Sequence, residues 1–302
     1  MDLVFALTVM TLLCVSVMAW VAWRLRPPQT TATKMNLDTP PERTTAVVSR
    51  APSIVLTAAV LAALVILYAT HDRLFWARFL PFSAVIIWSE VTAVALAVAS
   101  GAAFRLPNRP SWRRVISGSL LAVLTLGTLY EPLVQRFLRP VMVTHHWEAE
   151  CVCMQTNANT CSAAAGATLL KAHGLDLSEA EMVKLCLTNS HGTPSLGLWR
   201  GLSIATSSSH LKPKVIHTDI ESLLTQGPWP VALVVGVPRF GADSGYAKKY
   251  GWDPGYRHSI VLFGRCNDAW LGIGDPSAGY ARWSDDDLRV LWRGEGIALV
   301  ER

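Results

Sequence analysis

The sequence predicts an α+β chain in two parts: an N-terminal bundle of about four transmembrane helices over residues 1–140, then a globular domain over 141–302 with helices first and an antiparallel sheet second. Three observations carry this. The 302 residues are 51% hydrophobic and only 16% charged, with mean hydropathy +0.31, whereas soluble domains are about 25% charged. The charge is uneven: residues 1–140 hold 13 Lys+Arg against 6 Asp+Glu, and residues 141–302 hold 14 against 16. Long apolar runs also give way near residue 141 to capped, periodic segments of domain length. The net charge of +5 and the pI near 9.0 come from short loops beside apolar segments. That points to a membrane surface and away from a nucleic-acid-binding face.

The first apolar segment, 3–23, is uncharged and closes with Trp20 and Trp23, as at a membrane–water interface. No basic region precedes it and its apolar run is long, so it reads as a retained anchor and not a cleaved signal. The second, 53–70, is equally clean. The third, 79–104, carries Glu90 near its middle, either as a substrate or proton-linked group or as a satisfied partner of neighbouring polar side chains. The fourth, 115–135, is the weakest and must continue through Pro132. The first and third connecting loops carry nine basic residues, and the second loop with the stretch after the fourth span carries four. The excess places loops one and three in the cytoplasm and the C-terminal domain outside it; a fourth segment that did not cross would invert this. The first loop is rich in Pro and Thr and reads as irregular, and the chain has no G-x-x-x-x-G-K-[ST] phosphate loop, so no nucleotide is expected.

In the second part, helices are expected at 161–173, at 178–188 (opened by Ser178 and Glu181 as a capping box) and at 195–206. Strands follow at 214–217, 231–237, 258–264, 269–273 and 296–300, with a helix at 284–292 opened by Ser284. Cys161 falls where a polar loop becomes a helix, and there the unpaired N–H groups and the positive helix end favour a thiolate. A thiol acyl-transfer site also needs a base, an orienting group and oxyanion donors. His258 opens the core run "HSIVLFG", Asp275 follows the next strand, and Gln155 lies six residues before Cys161. Without that company each has a plainer reading: a buried thiol, a strand histidine, a turn aspartate. His145, His146, Cys151 and Cys153 match no standard zinc spacing, so no metal and no cofactor are expected. Setting Cys161 apart leaves Cys151, Cys153, Cys186 and Cys266 in this domain. An even number fits two disulfides outside the cytoplasm, with Cys151 and Cys153 each reaching Cys186 or Cys266. Cys14, within the first span, reads as an apolar filler.

From Gln155 through "TCSAAAGATLLKAHG", "GPWPVALVV", "HSIVLFG" and "GDPSAG" to "LWRGEGIALV", residues 150–302 resemble the papain-like bacteriocin-processing (double-glycine leader) cysteine peptidases. The resemblance implies a papain-like fold with Cys161 as nucleophile, His258 as general base and acid, Asp275 as its orienter and Gln155 as oxyanion donor. Two features depart from that family: Ser162 stands where glycine usually follows the nucleophile, and no ATP-driven exporter accompanies the four spans. The function expected is a membrane-anchored cysteine peptidase that cleaves a peptide or protein precursor near the membrane. A transpeptidase with the same site, and an inactive peptide-binding module on a membrane scaffold, are the alternatives. The partners expected are a precursor peptide and the lipid membrane, with no nucleic acid; no oligomeric state follows.

Overall fold

The apolar segments form helices because, away from water, each backbone N–H and C=O must find its partner within its own segment. In the computed structural model, which describes residues 2–26, 50–70, 73–144, 146–148, 151–241 and 244–302, they are α1 (Asp2–Arg24), α2 (Ala51–Thr70), α3 with α4 (Val85–Trp88, Val91–Ala103) and α5 (Ser111–Leu138). Among the described residues, four helical stretches, counting Val85–Ala103 as one, are long and apolar enough to cross a membrane. The proline- and threonine-rich part of the first loop, and His145, lie outside the described residues.

The chain packs as two compact units, Met1–His71 with Ile87–Glu131, and Asp72–Ile86 with Pro132–Arg302. Within the first, the small residues of α4 let it approach α1 closely: a Cβ on Gly101 would lie 2.5 Å from the Met18 carbonyl oxygen. Ser100 Oγ donates to the Gly118 carbonyl at 2.8 Å. The third span differs from expectation. It begins at Val85 rather than 79, and Glu90 sits near its start, in a break between α3 and α4. There the Val91 N–H reaches back to the Ser89 carbonyl at 2.7 Å around Glu90 (φ −73°, ψ 49°), an inverse γ-turn. Residues 79–84 leave the span because they form an irregular stretch through Pro81 that, with the preceding 3₁₀ turn Leu74–Arg78, belongs to the second unit.

The second unit opens with a small hairpin, β1 (Trp147–Glu148) and β2 (Val152–Cys153). Three helices follow: α6 (Cys161–Ala172), α7 (Glu179–Leu185) and α8 (Ser195–Ala205). The expected capping box is complete, with Ser178 Oγ accepting from Glu181 N–H and the Glu181 carboxylate accepting from Ser178 N–H. Beyond them lie β3 (Leu211–Ile216), α9 (Ile220–Gln226), β4 (Val231–Val235), α10 (Ser244–Tyr250), β5 (His258–Asn267), β6 (Trp270–Asp275), β7 (Gly279–Trp283), α11 (Asp285–Leu291) and β8 (Trp292–Glu301). Six strands form one antiparallel sheet in the order β3-β8-β4-β5-β6-β7.

Alternation along the strands divides the core between the two faces of the sheet. Val231, Leu233, Ile260, Leu262, Leu271 and Ile273 point to one face, where Leu223 and Leu224 of α9 and Leu288 and Leu291 of α11 cover them. Ser259 and Gly274 point to the other, under α6; a Cβ on Gly274 would lie 3.4 Å from the Thr168 methyl. The 3₁₀ turn packs with α8 and β3, burying Leu74 and Ala77 to 2% exposure each.

The expected disulfides are not formed; all six cysteines are free thiols. Cys186 is sealed between α7 and α8, where a Cβ on Gly201 would lie 2.3 Å from its sulfur, and burial pushes its thiol up to about 12. Cys153 is buried beside α6, its N–H on Thr168 Oγ1 at 2.9 Å. Cys151 and Cys266 are exposed, and the Cys266 sulfur contacts Tyr280 OH at 3.1 Å. An even count said nothing about whether these side chains face one another, which a disulfide requires.

Candidate active site

Residues 163–170 of α6 are all buried, and six of these eight are Ala, Gly or Thr, which seats the helix tightly against its neighbours. Gly166 lies where a Cβ would come 2.8 Å from Met182 Cε and 3.0 Å from Leu198 Cδ1. The packing fixes the first residue of α6, Cys161, at the helix end where backbone N–H groups lack intrahelical partners. Thr160 Oγ1 donates to the Asn157 carbonyl at 2.8 Å and does not cap the helix. The N-terminal end is therefore left to act on the thiol.

His258 is the first residue of β5, paired with Val235 of β4. Its ring packs against Trp252, with centroids 4.7 Å apart. His258 Nε2 donates to Asp275 Oδ1 at 2.8 Å, which leaves Nδ1 as the ring nitrogen for the hydrogen bond to the Cys161 thiol. Asp275 ends β6, is buried, and also accepts from Ser277 N–H (2.8 Å) and Ser277 Oγ (2.7 Å). It is a turn residue and a histidine partner at once.

The electrostatics follow from those contacts. Burial alone would push the Cys161 thiol up, but the hydrogen bond and charge of His258, the Ser259 N–H and the Ser162 hydroxyl together hold it below an ordinary cysteine. Burial alone would lower His258, yet Asp275 and the Cys161 sulfur raise it to about 9. Asp275 resists the upward push of burial through His258 and Ser277 and stays below the usual carboxylate range. All three shifts favour a thiolate–imidazolium pair backed by a carboxylate.

Gln155 is tied to the same turn through its backbone: its N–H donates to the Pro276 carbonyl at 2.8 Å. Its side-chain Nε2 donates to the Asn157 carbonyl at 3.3 Å, and its Oε1 is buried without a partner among the described residues. The structure thus brings Cys161, His258 and Asp275 into one hydrogen-bonded line and anchors Gln155 beside Pro276. Among the described residues, no group of three or more His, Cys, Asp or Glu side chains is arranged to hold a metal ion.

Four contributors were not anticipated. Ser162 Oγ and Ser259 Oγ lie 2.7 Å apart and join the residues that follow Cys161 and His258. Ser277 had a visible signal, since Asp-Pro-Ser is a turn in which the aspartate accepts bonds from two residues on. Trp252 had none, because loop packing is a property of the folded chain.

A thiol bonded to an imidazole, itself held by a buried carboxylate, with the sulfur on a helix and the other two on the sheet beneath it, is a thiol acyl-transfer site of papain-like architecture. The chain belongs to the Peptidase C39 family, whose model matches residues 150–302. Solved structures similar to it include the following three. A double glycine motif protease from an AMS/PCAT transporter, in complex with the leader peptide, has 18% identity and a TM-score of 0.39, covering 50% of this chain and 91% of that one. The peptidase domain of Streptococcus ComA, a bi-functional ABC transporter involved in a quorum sensing pathway, has 23% identity and a TM-score of 0.38, covering 51% and 99%. The peptidase domain of Streptococcus mutans ComA has 22% identity and a TM-score of 0.34, covering 50% and 98%. No curated protein matches the chain.

Proposed function

We propose that this cysteine peptidase is anchored in the membrane by four spans over residues 1–140 and cleaves a peptide or protein precursor close to the bilayer through a thioester, using the domain that follows from 141. The carrying observation is His258, hydrogen-bonded to the Cys161 thiol on one side and to Asp275 at 2.8 Å on the other. The Cys161 thiolate attacks the scissile carbonyl carbon. The oxyanion accepts from the Cys161 N–H and from the Gln155 amide, whose Nε2 keeps a second hydrogen beside the one given to Asn157. The His258 imidazolium then gives its proton to the leaving amine as the C–N bond breaks, leaving an acyl-thioester on Cys161. Water, losing its proton to His258, attacks that carbonyl and releases the acid and the thiol.

Two features together support an extracytoplasmic peptidase. Loops one and three carry the basic excess. The second loop contributes Leu74 and Ala77 to the unit that holds the active site, so loop two and the peptidase share one side. The deciding experiment incubates purified full-length protein with an internally quenched peptide carrying a Gly-Gly site and with a broader precursor-derived peptide set, next to Cys161→Ala. Cleavage by the native chain and none by the variant is expected. Equal cleavage by both would remove Cys161 from the mechanism, and mass spectra of the products tell hydrolysis from transfer to an amine.

A further inference from the structure

Glu179 is fully buried, at 0% exposure, where an acidic side chain is rare unless fully partnered. Both of its oxygens go to one residue: Oε1 accepts the Thr156 N–H at 3.0 Å and Oε2 accepts the Thr156 hydroxyl at 2.7 Å. The same Thr156 oxygen accepts the Thr144 N–H at 2.9 Å. Helix capping does not account for the carboxylate, because Ser178 and Glu181 already close the α7 N-terminus with a complete box. Its bonds are spent on a loop 23 residues away in sequence, and that loop is the one carrying Gln155.

Gln155 is gripped from both flanks. Its own N–H is held by the Pro276 carbonyl at 2.8 Å, directly after Asp275. The next residue is held by Glu179 through two bonds. A charge-assisted pair of bonds to one threonine fixes backbone orientation more firmly than a neutral contact would. An oxyanion donor needs such fixing, since its catalytic worth depends on being in place before charge develops. Building on the role given above to Gln155, we propose that Glu179 is a positioning residue for the peptidase reaction: it clamps Thr156 and so holds the Gln155 amide where the oxyanion forms. Glu179 touches no reacting atom.

The test uses full-length protein with the internally quenched Gly-Gly peptide, or whichever peptide of the set the native chain cleaves, and the variants Glu179→Gln, Thr156→Val, Gln155→Ala and Glu179→Gln with Gln155→Ala. Gln155→Ala is expected to lower kcat about a hundredfold. Glu179→Gln, which keeps size but weakens the grip, is expected to lower kcat about tenfold with KM unchanged, and Thr156→Val by a smaller factor. In the Gln155→Ala background the Glu179→Gln loss should shrink to less than about twofold, the signature of two residues acting through one group. Iodoacetamide alkylation of Cys161, and its pH dependence, should be the same in all four, because the thiolate–imidazolium pair is untouched. A folded Glu179→Gln with native kcat, or one losing the same factor in both backgrounds, overturns the proposal. Should Glu179→Gln fail to fold, a native kcat in Thr156→Val overturns it equally. A silent Gln155→Ala would instead overturn the role of Gln155, and with it the path through which Glu179 acts.

Discussion

Cys161 keeps a low-lying thiol in a place where burial works against it, so its charge depends on named neighbours. Replacing His258 with alanine removes the largest of these and leaves burial unopposed. The pH midpoint of Cys161 alkylation in His258→Ala should therefore rise to or above that of an ordinary cysteine, and turnover should fall to the level of Cys161→Ala, since the two act as one unit. The native pH–rate curve should be bell-shaped, and its two midpoints belong to the pair. Activity is gained as the thiol ionises below the ordinary cysteine range, and lost on the alkaline side near about 9, where the imidazolium gives up its proton. Asp275→Asn removes a negative charge beside the ring and should shift that alkaline limb to lower pH while keeping part of kcat/KM. Asp275→Ala should lose more, because the ring then has no acceptor. Equal and negligible losses would leave Asp275 as a turn residue only. Cys161, His258 and Asp275 were legible in the sequence because each stands at an element boundary that the sequence also marks. Gln155 was marked by its spacing to Cys161, but its bond to Asn157 was not legible, being a matter of loop conformation.

At the scale of elements, α6 and β5 meet through the Ser162–Ser259 contact at 2.7 Å, one residue beyond the thiol and the imidazole. Ser162→Gly would remove that bridge and one donor to the sulfur, and would place glycine within a helix. The alkylation midpoint should rise, and chemical denaturation should show a loss of about 1–2 kcal/mol. A variant unchanged in both would show that the serine pair is incidental. Helices α6 and α8 and strands β4 and β5 were readable because their apolar runs are long. The seven-residue helices α9 and α10 were not, since two turns are too few to display a helical period. For α9 the usable mark was Asp219, whose carboxylate accepts the Ser222 N–H at 2.9 Å. Strand β7 carried a signal that went unused: Pro-Ser-Ala-Gly between two short alternating runs is a hairpin pattern, and Asp275 pairs with Gly279 across it.

For the whole molecule, the fourth apolar segment decides the side on which the peptidase works, and α5 is one continuous helix of 28 residues despite Pro132. A C-terminal reporter and a membrane-impermeant maleimide at Phe79→Cys, in the second loop, should both report the extracytoplasmic side in intact cells. Opposite answers would mean that loop two does not fold with the domain. Denatured protein should yield six alkylatable thiols with or without reductant, matching the free cysteines; four fewer before reduction would restore the two bridges. Loop charges were enough to suggest an orientation, but the participation of residues 72–86 in the second unit was invisible, because Leu74 and Ala77 sit in a short loop between two spans, where nothing marks them as core. That participation bears on how the enzyme can be made. A fragment cut at residue 141 or 150 contains the whole family match and every residue of the catalytic line, yet it strips Leu74 and Ala77 from the surface formed by α8 and β3. Such a fragment should aggregate or melt early, whereas one with residues 73–84 joined in front by a flexible linker should stay monodisperse. On that outcome the smallest self-sufficient enzyme is discontinuous in the gene.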